Sequence, residues 1–276
     1  MSLLPQNYLD AVVAIETPGT EKVIATGFLA GFKSGEKDSV GGDLYRVFLI
    51  TNRHVFRNKK EVTLKFNKGG LSKRYSLALI ADNLEIWSTH PNPKVDVAVV
   101  PIDINKLKED GVEFYFIQEE DIAFTDTMKK LGISQGDGIF VLGFPMGLAG
   151  DIRKYVITRG GVIARLDAEI IDKEKSFLID SSIFPGNSGG PVIIKPTNEF
   201  LTGTSSPQKA YLIGVVRAYI PYTETAYSLQ TETPQPRVDF IENSGLALVV
   251  PLDYVRDIVL ILFPKKDNEN QQKLLN

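Results

Sequence analysis

Apolar residues along this chain come in short runs cut by glycine, proline and polar clusters. In the first half these runs are Ala11 to Ile15, Ile24 to Phe32, Tyr45 to Thr51, Glu61 to Phe66, Ser76 to Asp82 and Val95 to Ile102. Runs of this length between turn-forming residues predict an antiparallel β-barrel or sandwich. The polar insert from Ser34 to Asp43 reads as an exposed hairpin loop. Between Asn105 and Gln135 the texture becomes charged and partly helical, with a short helix predicted over Asp126 to Leu131.

The rhythm returns with Gly138 to Leu142, Tyr155 to Leu166, Ser176 to Asp180, Pro191 to Ile194, Tyr211 to Ile220 and Leu246 to Val250. The expected organisation is a barrel over residues 1–135, its connector beginning near 105, and a second barrel over 136–263. From Tyr222 to Asn243 the chain is rich in Thr, Gln, Glu and Pro and reads as a long polar loop. Leu252, Val255, Ile258, Val259 and Leu262 share one stripe of a helix that Pro264 stops, and residues 264–276 read as a frayed tail.

Composition narrows the partners. Lys and Arg number 31 against 34 Asp and Glu, a net charge of −3 with pI near 5.6, so there is no electrostatic footprint for nucleic acid. With no cysteine, disulfides, thiolate catalysis and cysteine-ligated metals are excluded. The most apolar stretch, Leu246 to Phe263, carries Asp253, Arg256 and Asp257, too many charges for a membrane span. The N-terminus lacks a basic n-region, and Ala11 to Ile15 is broken by Asp10 and Glu16. No export signal is therefore read, and a cytoplasmic location is expected unless a leader has been removed. No cofactor or metal is expected.

The candidate chemistry lies in F-P-G-N-S-G-G-P-V, Phe184 to Val192. A nucleophilic serine must project its oxygen from a tight turn whose backbone N–H groups face the attacked carbonyl. Gly186 is free to adopt backbone angles barred to other residues. The N–H groups of Gly186 and Ser188 then form an oxyanion hole, in which each donor is typically worth about 2.7–4 kcal/mol of transition-state stabilisation. The competing reading is a glycine-rich turn with a surface serine.

A serine needs a base, and the chain has two histidines. His54, in F-L-I-T-N-R-H-V-F, follows a strand run, and an imidazole with an unperturbed pKa of about 6.5 accepts and returns protons near neutrality. His90, in S-T-H-P-N-P, reads as an exposed loop residue. The orienting acid is Asp96: K-V-D-V-A-V-V-P-I places one carboxylate at the mouth of an apolar strand, where an unpaired acid is costly.

The order His54, Asp96, Ser188 is that of chymotrypsin-type triads. T-N-R-H-V-F, V-D-V-A-V-V and F-P-G-N-S-G-G-P-V resemble the histidine, aspartate and serine boxes of trypsin-like proteases. The match is closest to the bacterial HtrA-like branch. It extends through G-D-G-I-F-V-L-G-F-P-M-G-L, T-R-G-G-V-I-A-R-L, Y-L-I-G-V-V and S-G-L-A-L-V-V-P-L-D-Y-V.

The resemblance implies an all-β fold of two six-stranded antiparallel barrels with a C-terminal helix, and an active site between them. It places Ser182 at the base of a substrate pocket lined by Ile183 and by Val215, Val216 and Arg217. No acid stands at Ser182, so small or medium apolar residues are expected before the cut. Arg217 faces either a substrate carboxylate or solvent. Asn187 replaces the aspartate of zymogen-activated relatives, which implies no activation cleavage. The few residues after Phe263 hold no PDZ domain. A serine endopeptidase acting on peptides or proteins is the expected function; the alternatives are a catalytically silent or ligand-activated peptide-binding module of the same fold, and an esterase.

Overall fold

The structure, a computed structural model, describes residues 4–197, 207–228 and 235–264, without the side chains of 235 and 236. The first half contributes ten strands: β1 (Val12–Glu16), β2 (Val23–Lys37), β3 (Asp43–Thr51), β4 (Glu61–Lys68), β5 (Leu71–Ala78), β6 (Ile80–Ala81), β7 (Leu84–Glu85), β8 (Ser88–Thr89), β9 (Ala98–Pro101) and β10 (Ile117–Gln118). Eight of them make one sheet, ordered β5-β4-β1-β2-β3-β9-β8 with β10 joined to β2; β6 and β7 pair separately. The second half is a closed barrel ordered β11-β12-β13-β16-β15-β14, from β11 (Gly138–Gly143), β12 (Ile157–Arg165), β13 (Phe177–Asp180), β14 (Pro191–Ile194), β15 (Leu212–Ser228) and β16 (Gln235–Pro251). The chain is thus all-β, as its short apolar runs predict. The second half matches the expected six strands, and the first exceeds them through short pairings such as β8 and β10.

Strand alternation explains the layering. Successive side chains point to opposite faces. Val13, Ile15, Leu29 and Leu49 fill the core of the first half, whereas Val12, Ala14, Phe28, Phe48 and Ile50 face the other half. There they meet Leu142, Phe144, Ile193, Leu212 and Val215. Both faces of these strands are buried, so they read as continuous apolar runs. The second barrel has its own core of Ile139, Val141, Phe177, Ile179, Val192 and Val249.

Among the described residues six α-helices accompany the strands: α1 (Gln6–Asp10), α2 (Arg53–Phe56), α3 (Ile104–Glu109), α4 (Thr125–Lys130), α5 (Ala168–Glu174) and α6 (Leu252–Leu262). As the apolar stripe predicts, α6 buries Leu252, Val255, Ile258 and Val259, and they close the core between the two halves. Among the described residues, no helix is long and apolar enough to cross a membrane. The expected tail lies outside the described residues apart from Pro264.

Two features depart from the sequence expectation. Of the stretch read as a loop from Tyr222 to Asn243, residues 229–234 lie outside the described residues, and the rest is instead the outer part of two paired strands, with Pro221 paired to Asn243 and Ser228 to Gln235. Its Thr and Tyr residues suit a ladder that extends past the barrel into solvent. The second is a seam between the halves. The loop after β11 is strapped to β4 and β5: Lys65 Nζ donates to the Gly150 carbonyl at 2.6 Å, Ser72 N–H to Ile152 at 2.7 Å, and Asn67 exchanges two hydrogen bonds with the Lys154 backbone. The Lys154 ammonium, fully buried, donates to the Val12 carbonyl. Burial pushes its pKa down to about 8.

Candidate active site

The first half brings His54 and Asp96 together. His54 sits on α2, one turn past the end of β3, and Asp96 lies just before β9, which pairs with β3 from Thr51↔Ala98 onward. That pairing sets the two side chains opposite one another. His54 Nδ1 lies 2.6 Å from Asp96 Oδ2, and His54 N–H donates to Asp96 Oδ1 at 3.0 Å. The Asp96 backbone carbonyl accepts from Asn52 Nδ2 at 2.8 Å. The imidazole is 50% exposed and the carboxylate 16%. Burial alone would push the Asp96 carboxyl up, but the hydrogen bonds and charge of His54, with a smaller contribution from Arg217, hold it below the usual carboxylate range.

The second half supplies the serine turn. Asn187 N–H donates to the Phe184 carbonyl at 3.0 Å, with Pro185 and Gly186 between them and Gly186 at φ +98°. This is the geometry of a type II turn, and Pro-Gly is its natural sequence. A Cβ on Gly186 would collide with the Phe144 carbonyl. The Pro185 carbonyl accepts from Met146 N–H at 2.6 Å. Because the 185–186 peptide is trans, Gly186 N–H points to the opposite side. Among the described residues, neither Gly186 N–H nor Ser188 N–H has a hydrogen-bond partner. Asn187 is buried and folds its Oδ1 back onto Phe184 N–H at 3.1 Å, so the turn closes with its own side chain.

Thr26 joins the two walls, and nothing in the motif spacing singles it out. Its hydroxyl donates to the Gly186 carbonyl at 2.6 Å and accepts from Phe144 N–H at 3.1 Å. Its own N–H donates to the Ser188 carbonyl at 2.9 Å, and its carbonyl accepts from Thr51 Oγ1 at 2.7 Å. A short hydroxyl residue inside the buried run Ala25 to Phe28 is the one sequence signal that points to it. Met146, held at φ +56°, is the second residue missed.

Not every expected site residue meets the others. Ser188 Oγ donates to the Arg217 carbonyl at 3.4 Å, and no hydrogen bond joins it to His54. Ser182 is exposed, Val215 is buried in the core between the halves, and Ile183 and Val216 are buried in the core of the second barrel. The Arg217 side chain faces neither a ligand nor open solvent alone: it donates to the Glu174 carbonyl at the end of α5, at 3.1 Å. His90 is not the free loop residue expected, since its ring packs edge-on against Tyr254 and Nε2 lies 3.7 Å from Asp257. Among the described residues, no cluster of His, Asp or Glu gathers to hold a metal.

The family described as "Trypsin-like peptidase domain" matches residues 25–201. A "Probable periplasmic serine endoprotease DegP-like" of Chlamydia trachomatis is 25% identical over 162 residues, covering 57% of this chain and 27% of that protein. The protein of the same name from Chlamydia pneumoniae is 26% identical over 165 residues, covering 58% and 28%. The chain thus spans about a quarter of the length of these curated relatives. Among solved structures, the MamO protease domain from Magnetospirillum magneticum (apo form) is similar over 92% of this chain and 98% of that one, at 14% identity and a TM-score of 0.48.

Proposed function

This chain belongs to the trypsin-like peptidase family, and from that premise we propose that it is a serine endopeptidase using His54, Asp96 and Ser188. The observation that carries the reading is the His54–Asp96 pair at 2.6 Å across the cleft from a serine turn with two unpaired N–H groups. Asp96 accepts the Nδ1 proton of His54, which leaves Nε2 as the base. The Ser188 hydroxyl swings from the Arg217 carbonyl toward Nε2, gives up its proton and attacks the peptide carbonyl. Gly186 and Ser188 N–H groups hold the resulting oxyanion. The imidazolium then protonates the leaving amine, and water hydrolyses the acyl-enzyme by the same path in reverse.

By the family resemblance Ser182 stands at the base of the substrate pocket and is no carboxylate, so small or medium apolar residues before the cut are the expected preference. A second reading, a silent peptide-binding module, draws on the 3.4 Å contact that rests Ser188 Oγ on Arg217 rather than on His54. One experiment separates them. A fluorophosphonate probe is expected to label the wild type and not Ser188→Ala, and a proteome-derived peptide library is expected to be cut at apolar residues by the wild type alone. Library peptides retained uncut, with equal labelling of both proteins, would favour the silent module.

A further inference from the structure

Exposed apolar side chains gather in two places that the triad does not use. The first is an arm, the paired stretches 221–228 of β15 and 235–243 of β16, which leave the barrel and run outward for roughly 25 Å at the rise of an antiparallel strand. Residues opposite each other in a ladder share a face. Tyr222, Phe240 and Val238 therefore stand on one face, and Tyr227 and Ile241 on the other; each is more than half exposed. Glu224 and Glu242 join the first face and Asp239 the second, against Arg237 alone. A two-stranded ribbon is marginal in water, and apolar side chains on both faces leave it two surfaces to cover.

The second is a patch where the turn between β4 and β5 meets the loop after β11. Ser72 N–H donates to the Ile152 carbonyl at 2.7 Å and Ser72 Oγ to the same carbonyl at 2.8 Å, which brings Leu71 close to Ile152. Tyr155 N–H donates to the Ala149 carbonyl at 2.9 Å, so Leu148 and Tyr155 stand at the two ends of that loop. Leu71, Leu148, Ile152 and Tyr155 are each more than half exposed. Lys68, Lys73 and Arg153 border them, Lys73 over the Tyr75 ring and Arg153 over the Tyr155 ring. None of these three cations has an ion pair among the described residues. Asp151 and Glu113 offset part of their charge, and Glu113 Oε1 already accepts from Gly70 N–H at 3.4 Å.

An acidic apolar arm and a basic apolar patch are complementary, and within one chain both stay exposed. We propose that they meet between two copies of this chain: one face of each arm lies on the patch of the other copy, with Glu224 and Glu242 facing Lys68, Lys73 and Arg153. The second face, with Tyr227 and Ile241, meets its counterpart on the two-fold axis. A pair in which each copy lends its arm and receives the other's engages both surfaces at once and leaves no open end. Burial of the apolar side chains supplies the affinity, while the charges set which surface is chosen. The pairing does not depend on the peptidase reading of the site.

Sedimentation equilibrium of the full chain at about 1 to 100 μM reads the pairing. The wild type is expected to pass from one chain to two across that range, and less readily at high salt. Glu224→Lys with Glu242→Lys is expected to weaken association at least about tenfold, and so is Lys68→Glu with Lys73→Glu, with circular dichroism unchanged in both. The chain that carries all four reversals is expected to regain association, since opposite charges again face each other. The double variant Val238→Ser, Phe240→Ser is expected to stay a single chain at every concentration. A wild type that stays a single chain, a pairing that survives either double reversal, or four reversals that fail to restore it overturns the proposal. So does a wild type that stays a single chain while its arm holds labelled reduced casein, a result that makes the occupant a foreign polypeptide. If a reversed variant misfolds, the serine variant decides: pairing lost supports the proposal, and pairing retained overturns it.

Discussion

On one wall of the cleft His54 is held twice by a single carboxylate, through its ring at 2.6 Å and its backbone at 3.0 Å. On the other, the Ser188 hydroxyl has one long contact of 3.4 Å, while the turn beneath it is tied by Thr26, Met146 and Asn187. The side of the proposed base fixes its side chain; the side of the proposed nucleophile fixes its backbone and holds its side chain by one long contact. The difference follows from the proposed chemistry. An imidazole works in one tautomer and one orientation, whereas a serine oxygen has to turn between two partners. Its N–H groups must already point where charge will develop.

The contrast breaks most severely at Asp96. Asp96→Asn is expected to lower kcat about 10⁴-fold with circular dichroism unchanged, because the amide stabilises the wrong tautomer. The same carboxyl titrates below its ordinary value. Its contribution to stability is therefore complete above the unfolded pKa of about 3.9 and is lost only as pH falls through the lower folded value. On the serine side, Gly186→Ala is expected to cost about 10²- to 10³-fold in kcat, since the Cβ strikes the Phe144 carbonyl and turns the N–H aside. Steady-state kinetics on a peptide cut by the wild type checks both; comparable rates in either variant would sink the division of labour.

The third prediction concerns the seam. With its pKa depressed to about 8, Lys154 binds its proton less tightly folded than unfolded. Stability should therefore rise between pH 8 and about 10.4, by on the order of 3 kcal/mol, and be flat with respect to this group below pH 8. Urea titrations across that range read it, and Lys154→Met should abolish the rise. The smallest effect is expected at Thr26→Val, which keeps the shape but strips Phe144 N–H and the Gly186 carbonyl of a partner. A fall of about tenfold in kcat with little change in KM is expected; a change confined to KM would place Thr26 outside the turn's support.

Much of this was legible in residues alone, because local chemistry leaves local marks. His54 after a strand, Asp96 at the mouth of one, and Pro-Gly ahead of Ser188 are each encoded within a few positions, and so is the stripe of α6. Contacts between distant segments leave no such mark. Thr26 meets Gly186 across 160 positions of sequence, and the buried Lys65 and Lys154 look like surface lysines until the loop after β11 folds onto β4. The arm was misread because Thr, Gln, Glu and Pro signal a loop by composition, while its alternation at Tyr222, Glu224 and Ala226 already suits a ribbon. The pocket residues were placed by resemblance, and the packing that buries Val215 between the halves and Val216 inside the second barrel was not visible in spacing.

The seam through Lys65, Asn67, Ser72 and Lys154 grips the stretch that begins at Met146, and Met146 N–H fixes the peptide ahead of Gly186. Damage to that seam, by a nick in the loop, thus reaches the turn before it reaches either core. A sample can keep its strands while the proposed turnover decays, so storage life for this protein is better followed by an activity assay than by spectroscopy.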